Sequence, residues 1–133
     1  MGINNNRKIF FSKNLIYAIV GASNNSNKFG YKIFKALIEQ KFMVYPVNPK
    51  EKEVLGQKCY KSIAEIPEDV DVVNFVVPPN VTFKILEDEV LELGIDKVWF
   101  QPGSFNENCI IFCKQNKIAY MNDLCLLELS LGK

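Results

Sequence analysis

With 133 residues, the chain is long enough to bury a core as one domain (residues 1–133) and too short for a separate substrate domain. Apolar residues make up 48% and charged residues 23%, which excludes a disordered chain, and a formal net charge of +1 supplies no basic face for nucleic acid. The chain has no histidine, which excludes Ser-His and Cys-His nucleophilic catalysis and phosphohistidine chemistry.

Residues 1–13 read as a polar N-terminal extension without the pattern of a signal peptide. Asn6 stands where a myristoylation site would need Ser or Thr, and no apolar run reaches membrane-spanning length. The expectation is a cytoplasmic protein with no membrane partner. Within the extension, Ile9-Phe10-Phe11 is expected to dock on the domain's own core, with a partner interface as the other use.

Residues 15–20, LIYAIV, read as a buried parallel strand. The small-residue turn from Gly21 to Gly30 then leads into a helix over residues 30–40, where Ile33, Phe34, Leu37 and Ile38 recur at helical spacing. A second strand covers residues 42–47 and stops at Asn48-Pro49, and the lysine-rich stretch 50–61 has room for a short edge strand near Val54. Ser62 and Glu65 are spaced as the capping box of a short helix ended by Pro67. Residues 70–77 are a third, β-branched strand stopped by Pro78-Pro79. Asn80 predicts the N-cap of a helix carrying Phe83, Leu86, Val90 and Leu93 on one face, with Gly94 at its C′ position.

A fourth strand spans residues 97–101, with Trp99 and Phe100 expected in the core, and Pro102-Gly103 turns the chain. Ser104 and Glu107 have capping-box spacing for the helix through residues 110–115, which explains Glu107 better than general-base work. A fifth strand, 118–121, precedes a short helical tail over 124–129. Strands alternating with helices predict an α/β fold: a doubly wound parallel sheet of about five strands, order 2-1-3-4-5, with helices on both faces and room for an extra edge strand. The topological switch then falls between the first and third strands, at Gly21-Ala22-Ser23 and Val77-Pro78-Pro79, where such sheets bind ligands.

The turn after the first strand fails two fingerprint tests. G-x-G-x-x-G is absent, with Gly30 too late for the third glycine, and no carboxylate follows the second strand in Pro46-Val47-Asn48-Pro49-Lys50. The Walker A pattern has no match either. What remains is a phosphate site built from free helix N-terminal N–H groups, the Ser23 hydroxyl, the Asn24 and Asn25 amides and the Lys28 ammonium. Lys50 and Lys52 suit a second phosphate on an adenosine ribose, with Pro46 and Pro49 walling a slot for the base. Alternatively, those lysines and the neighbouring Glu51 and Glu53 form a solvated loop.

The motifs GAS…K-x-G, PVNPK, VVPPN and WFQPGS, in this order and spacing, resemble the CoA-binding domain family, small stand-alone proteins that look like the N-terminal domain of the succinyl-CoA synthetase α subunit. The resemblance spans roughly residues 14–127 and implies a single Rossmann-like domain. It implies coenzyme A with its diphosphate on Gly21, Ala22 and Ser23 and on the helix N-terminus at Gly30, with Asn24 and Lys28 nearby. The 3′-phospho-adenosine would lie near Val47, Asn48, Pro49 and Lys50, and the pantetheine would pass Val77, Pro78 and Pro79. Gln101, Pro102 and Gly103 would close the far side.

The synthetase's phosphorylated histidine belongs to a second domain outside the resemblance, so no catalytic residue is carried over. The expected function is CoA or acyl-CoA binding without catalysis. Two other readings stay open: an NADP-binding oxidoreductase or redox sensor with Lys50 facing the 2′-phosphate, and an accessory subunit of an acyl-CoA synthetase-type complex. Self-association is a further possibility. Cys59, Cys109, Cys113 and Cys125 lack CxxC spacing and are expected as free thiols rather than metal ligands, and nothing around Cys125 favours a mixed disulfide with CoA. Asn74, inside an apolar strand, is expected to bond a neighbouring backbone or water, with the ligand crevice as the alternative.

Overall fold

The computed structural model describes residues 7–123 together with Leu126. The expected tail helix, apart from Leu126, and Cys125 lie outside the described residues. The chain opens on one helical turn, Arg7–Phe10 (α1), then runs through strand Ile16–Val20 (β1), helix Phe29–Glu39 (α2) and strand Met43–Val47 (β2). Two short strands follow, Glu53–Val54 (β3) and Gln57–Lys58 (β4), then a 3-10 turn at Ile63–Glu65 and strand Val72–Phe75 (β5). Helix Pro79–Ile85 (α3) continues into a π turn, Leu86–Val90, before strand Lys97–Phe100 (β6), helix Glu107–Gln115 (α4) and strand Ala119–Met121 (β7).

The sheet runs β2-β1-β5-β6-β7 with every pairing parallel, which is the order expected from the sequence. The segment around Val54 does not lengthen this sheet. It folds into its own antiparallel hairpin because Leu55 and Gly56 both take positive φ, +50° and +78°, the backbone of a tight two-residue reversal. One parallel bridge, Val47 to Tyr60, fastens the chain after the hairpin to the end of β2.

Alternation along β1 divides the core. Tyr17 and Ile19 pack with Ile33, Phe34 and Leu37 of α2, while Ala18 and Val20 share the opposite layer with Leu86, Val90, Cys109 and Cys113. Trp99 and Phe100 are fully buried, one on each side. The start of the described chain is packed rather than trailing. Phe10 is 0% exposed and meets Trp99 edge-to-face at 6.2 Å, and the Tyr17 hydroxyl donates to the Phe10 carbonyl at 2.7 Å.

Several local expectations are corrected. Pro79 occupies the first turn of α3 and leaves Asn80 inside it, so Asn80 is no N-cap; proline tolerates that position because its missing N–H has no helical partner there. The π turn adds a residue to the helix and rotates everything after it. Leu93 is therefore 46% exposed, and Ile95 is buried in its place, its N–H reaching the Val90 carbonyl at 3.1 Å. Asn106, not Ser104, caps α4, its Oδ1 accepting from the Cys109 N–H at 3.1 Å. The Ser104 hydroxyl instead donates to the Gln101 carbonyl at 2.7 Å, which leaves Glu107 as a first-turn anion. Ser62 makes no side-chain cap, and Glu65 accepts weakly from the Lys61 N–H at 3.4 Å.

Candidate functional site

Two glycines set the geometry at the end of β1. Gly21 has φ +102°, and a Cβ there would lie 2.9 Å from Val77 Cγ1. Gly30, at the start of α2, sits so close to this turn that a Cβ would fall 2.0 Å from the Gly21 carbonyl oxygen. Gly30 thus does what the third glycine of a dinucleotide loop does: it lets the helix press against the strand turn, although the spacing is longer. No side chain caps the start of the eleven-residue α2, where the Tyr31 N–H turns back to the Lys28 carbonyl at 3.1 Å and the N–H groups of Phe29 and Gly30 precede the helical ladder.

Local hydrogen bonds shape the loop between the glycines. The Ser23 hydroxyl accepts from the Asn25 N–H, and Asn25 Oδ1 accepts from the Asn27 N–H, both at 3.0 Å. Asn48 joins this loop to the one after β2: its Nδ2 donates to the Ala22 carbonyl at 2.8 Å, and its Oδ1 accepts from the Lys50 N–H at 2.9 Å. Across the sheet, Gly103 at φ +84° after Pro102 makes the turn that closes on Ser104, whose N–H reaches the Gln101 carbonyl at 3.0 Å.

These loops surround a cleft of about 960 Å³ at the switch point between β1 and β5. Its wall includes Gly21, Ser23, Lys28 and Gly30 from the first loop, and Val47, Asn48, Pro49 and Lys50 from the second. Val77, Pro78 and Pro79 form the floor, with Pro102 and Gly103 at the far side. Of the residues the family resemblance implies, three lie elsewhere, and Asn25, Pro46 and Lys52, also expected at the phosphate and base sites, do not line the cleft either. Ala22 is buried in the α2-side core. Asn24 Nδ2 bonds Glu51 Oε1 at 2.9 Å and the Glu53 carbonyl at 2.8 Å, tying the loop to the hairpin. Gln101 is buried, its Nε2 donating to Asn74 Oδ1 and its Oε1 accepting from the Leu126 N–H at 3.0 Å. Asn74 therefore pairs with a neighbouring side chain rather than with backbone.

Sequence reasoning missed much of the cleft's other side. Phe29, Ile63, Val81 and Ile85 add apolar wall, Asn27 adds an amide, and Lys61 and Glu89 add charge. Only their convergence in space marks them, because Lys61 follows the hairpin and Glu89 sits in the π turn. The charges are unequal in availability. Glu89 Oε1 accepts from the Ile63 N–H at 2.7 Å and Glu51 Oε1 from Asn24, whereas Lys28, Lys50 and Lys61 have no ion pair among the described residues. The cleft therefore favours an anionic ligand with an apolar portion.

The thiols are not part of its chemistry. Cys59, Cys109 and Cys113 are free and buried, and burial raises each thiol, pushing Cys113 up to about 12. No group of three or more metal-ligating side chains exists among the described residues, and no described helix is long and apolar enough to cross a membrane.

Comparison with known proteins places the fold in a lineage. The CoA binding domain family matches residues 16–129. The α subunit of ADP-forming acetate–CoA ligase II from Pyrococcus furiosus is 47% identical over 78 residues, 58% of this chain. The chain spans 16% of that subunit's length and 10% of the ADP-forming acetate–CoA ligase of Methanocaldococcus jannaschii. The uncharacterised protein YneT of Bacillus subtilis is 30% identical over 82% of this chain and 80% of its own. A solved structure of a conserved hypothetical protein from Pyrococcus furiosus superposes with a TM-score of 0.82 at 42% identity, covering 86% of this chain and 98% of that one. On the extent of these matches, this chain belongs to the CoA-binding domain family.

Proposed function

We propose that the cleft binds CoA or an acyl-CoA and that this single-domain, cytoplasmic protein catalyses no reaction of its own. The observation that carries the reading is spatial. All the residues implied by the family resemblance, except Ala22, Asn24 and Gln101, line one cleft at the switch point. The diphosphate rests on the Gly21 turn and the α2 N-terminus, which can press together only because Gly21 and Gly30 carry no Cβ. Lys28 stands at the N-cap of that helix and faces the same anion. The 3′-phospho-adenosine lies beside Val47 to Lys50, and the pantetheine passes over Val77, Pro78 and Pro79 toward Gly103.

Calorimetric titration with CoA tests the reading, and absence of binding at millimolar CoA sinks it. Lys28→Ala weakens binding by about 1–3 kcal/mol if the ammonium meets a desolvated phosphate. Unchanged affinity would leave Lys28 in solvent. NADPH fluorescence separates the dinucleotide alternative, which gains ground only if NADPH binds and CoA does not.

One observation favours a second reading. The chain is 47% identical over 78 residues to the α subunit of a CoA ligase, which supports reading the domain as an accessory subunit that completes a CoA ligase in trans. Pull-down with the purified protein as bait decides between a free binder and such a subunit.

A further inference from the structure

The lysine-rich connection after β2 has four lysines between residues 50 and 61, and the fold uses them differently. Lys58 lies over the Tyr60 ring, 5.2 Å from its centroid, and neither it nor Lys52 lines the cleft. Lys50 and Lys61 both do. Their approach is built into the backbone: the Tyr60 N–H donates to the Pro46 carbonyl at 3.0 Å, and the Asn48 N–H donates to the Tyr60 carbonyl at 2.9 Å. Because this Val47–Tyr60 bridge is parallel, the chains beyond it advance side by side, and Lys61 emerges next to the turn that carries Lys50. Asn48 Oδ1 fixes that turn by accepting from the Lys50 N–H.

Lys50 and Lys61 thus line the cleft from adjoining segments of the chain, and neither is ion-paired among the described residues. The nearby acids are held by uncharged donors, Glu51 by Asn24 and Glu89 by the Ile63 N–H. Two ammonium groups with no direct ion pair on adjoining segments of the cleft wall suit a ligand group bearing more than one negative charge at one point. A phosphate monoester carries about −1.5 to −2 at neutral pH, more than either phosphorus of a diphosphate bridge.

We infer that Lys61, with Lys50, binds a phosphate monoester on the ligand's ribose and makes the cleft selective for phosphorylated over dephosphorylated adenosine ligands. This rests on the CoA reading for the 3′-phosphate, while the shared chemistry also covers the 2′-phosphate of NADP. The side chain is a contact to the ligand, and Lys61 is exposed, so its loss does not threaten the fold.

The test is calorimetric titration of the full chain and of Lys61→Gln with two ligand pairs, CoA against dephospho-CoA and NADP against NAD. Lys32→Gln, an exposed α2 change outside the cleft wall, controls for net charge. The wild type is expected to bind CoA about tenfold or more tighter than dephospho-CoA, and Lys61→Gln to reduce that ratio about fivefold while leaving dephospho-CoA affinity unchanged. Lys32→Gln is expected to preserve the ratio. An unchanged ratio in Lys61→Gln, or an equal fall in Lys32→Gln, overturns the inference even when CoA binds. Failure of the wild type to bind any of the four ligands overturns the CoA reading and this inference together. Preference for NADP over NAD without CoA binding overturns only the CoA reading, provided Lys61→Gln erases that preference.

Discussion

Gly30→Ala probes the contact on which the cleft depends. An added Cβ meets only backbone: the Gly21 carbonyl oxygen at 2.0 Å, the Gly21 carbonyl carbon at 2.9 Å and Ala22 Cα at 3.2 Å. No side chain can swing aside, so α2 itself must retreat by about 1.4 Å or more to reach ordinary packing distance. Overpacking of this kind costs about 1–3 kcal/mol or somewhat more, and alanine's better helix propensity returns at most about 1 kcal/mol. A net loss of about 2 kcal/mol corresponds to a drop in Tm of roughly 6–10 °C for a chain of this size. The retreating helix also withdraws its N–H groups from the Gly21 turn, so CoA affinity falls along with Tm. Thermal unfolding followed by circular dichroism measures the first effect and calorimetry the second. A variant with wild-type Tm and affinity would refute the argument that helix and strand touch here.

Asn48→Ala removes the 2.8 Å bond to the Ala22 carbonyl and the Asx bond to Lys50. It is expected to destabilise the protein by about 1–2 kcal/mol in urea unfolding and to weaken CoA binding, and no change in either measurement would show that the two loops hold position without it. Glu51→Gln keeps an acceptor for Asn24 and deletes a negative charge from the cleft wall, so CoA should bind about two- to fivefold tighter at low salt, with the gain shrinking as salt rises. Stability should fall at alkaline pH. Burial raises Cys113 to about 12 from an unfolded value near 9, so the folded state keeps the thiol neutral where the unfolded chain ionises it. Its contribution is complete below about pH 9 and is lost as the pH climbs toward 12, with a slope of at most about 1.4 kcal/mol per unit. Tyr17 is raised by burial as well and acts in the same direction. A Tm that stays flat from pH 8 to 11 would contradict this.

The sheet was legible because buried parallel strands are short, apolar and β-branched, and right-handed crossovers leave few ways to order them. Much less legible was anything decided by one residue of backbone geometry. A π turn shifts the helical phase after Leu86, and no apolar periodicity announces the shift, so Leu93, expected on the apolar face, is exposed while Ile95 is buried. Asn106 beat Ser104 as a cap because the Pro102-Gly103 turn had already committed the Ser104 hydroxyl to the Gln101 carbonyl. In the cleft, motif residues on strand ends were found, while Lys61 and Glu89 were hidden because only the Val47–Tyr60 bridge and the π turn bring them there. Gln101 sits in a motif, yet a buried amide partner was available to it and not to its neighbours Pro102 and Gly103.

The contact of Gly30 with Gly21 also closes a ring in the backbone. With both ends pinned, the residues from 22 to 29 form a loop whose closure is fixed by the glycines rather than by its length. Lengthening a closed loop costs little: doubling it adds only about 0.6 kcal/mol of entropy. The segment can therefore differ in length by a residue or two while the helix keeps its seat on the strand, and its Ser and Asn side chains set the loop's own shape rather than that seat. A fingerprint written as fixed spacing overlooks such a loop, whereas a pair of touching glycines at a strand end and a helix start detects it.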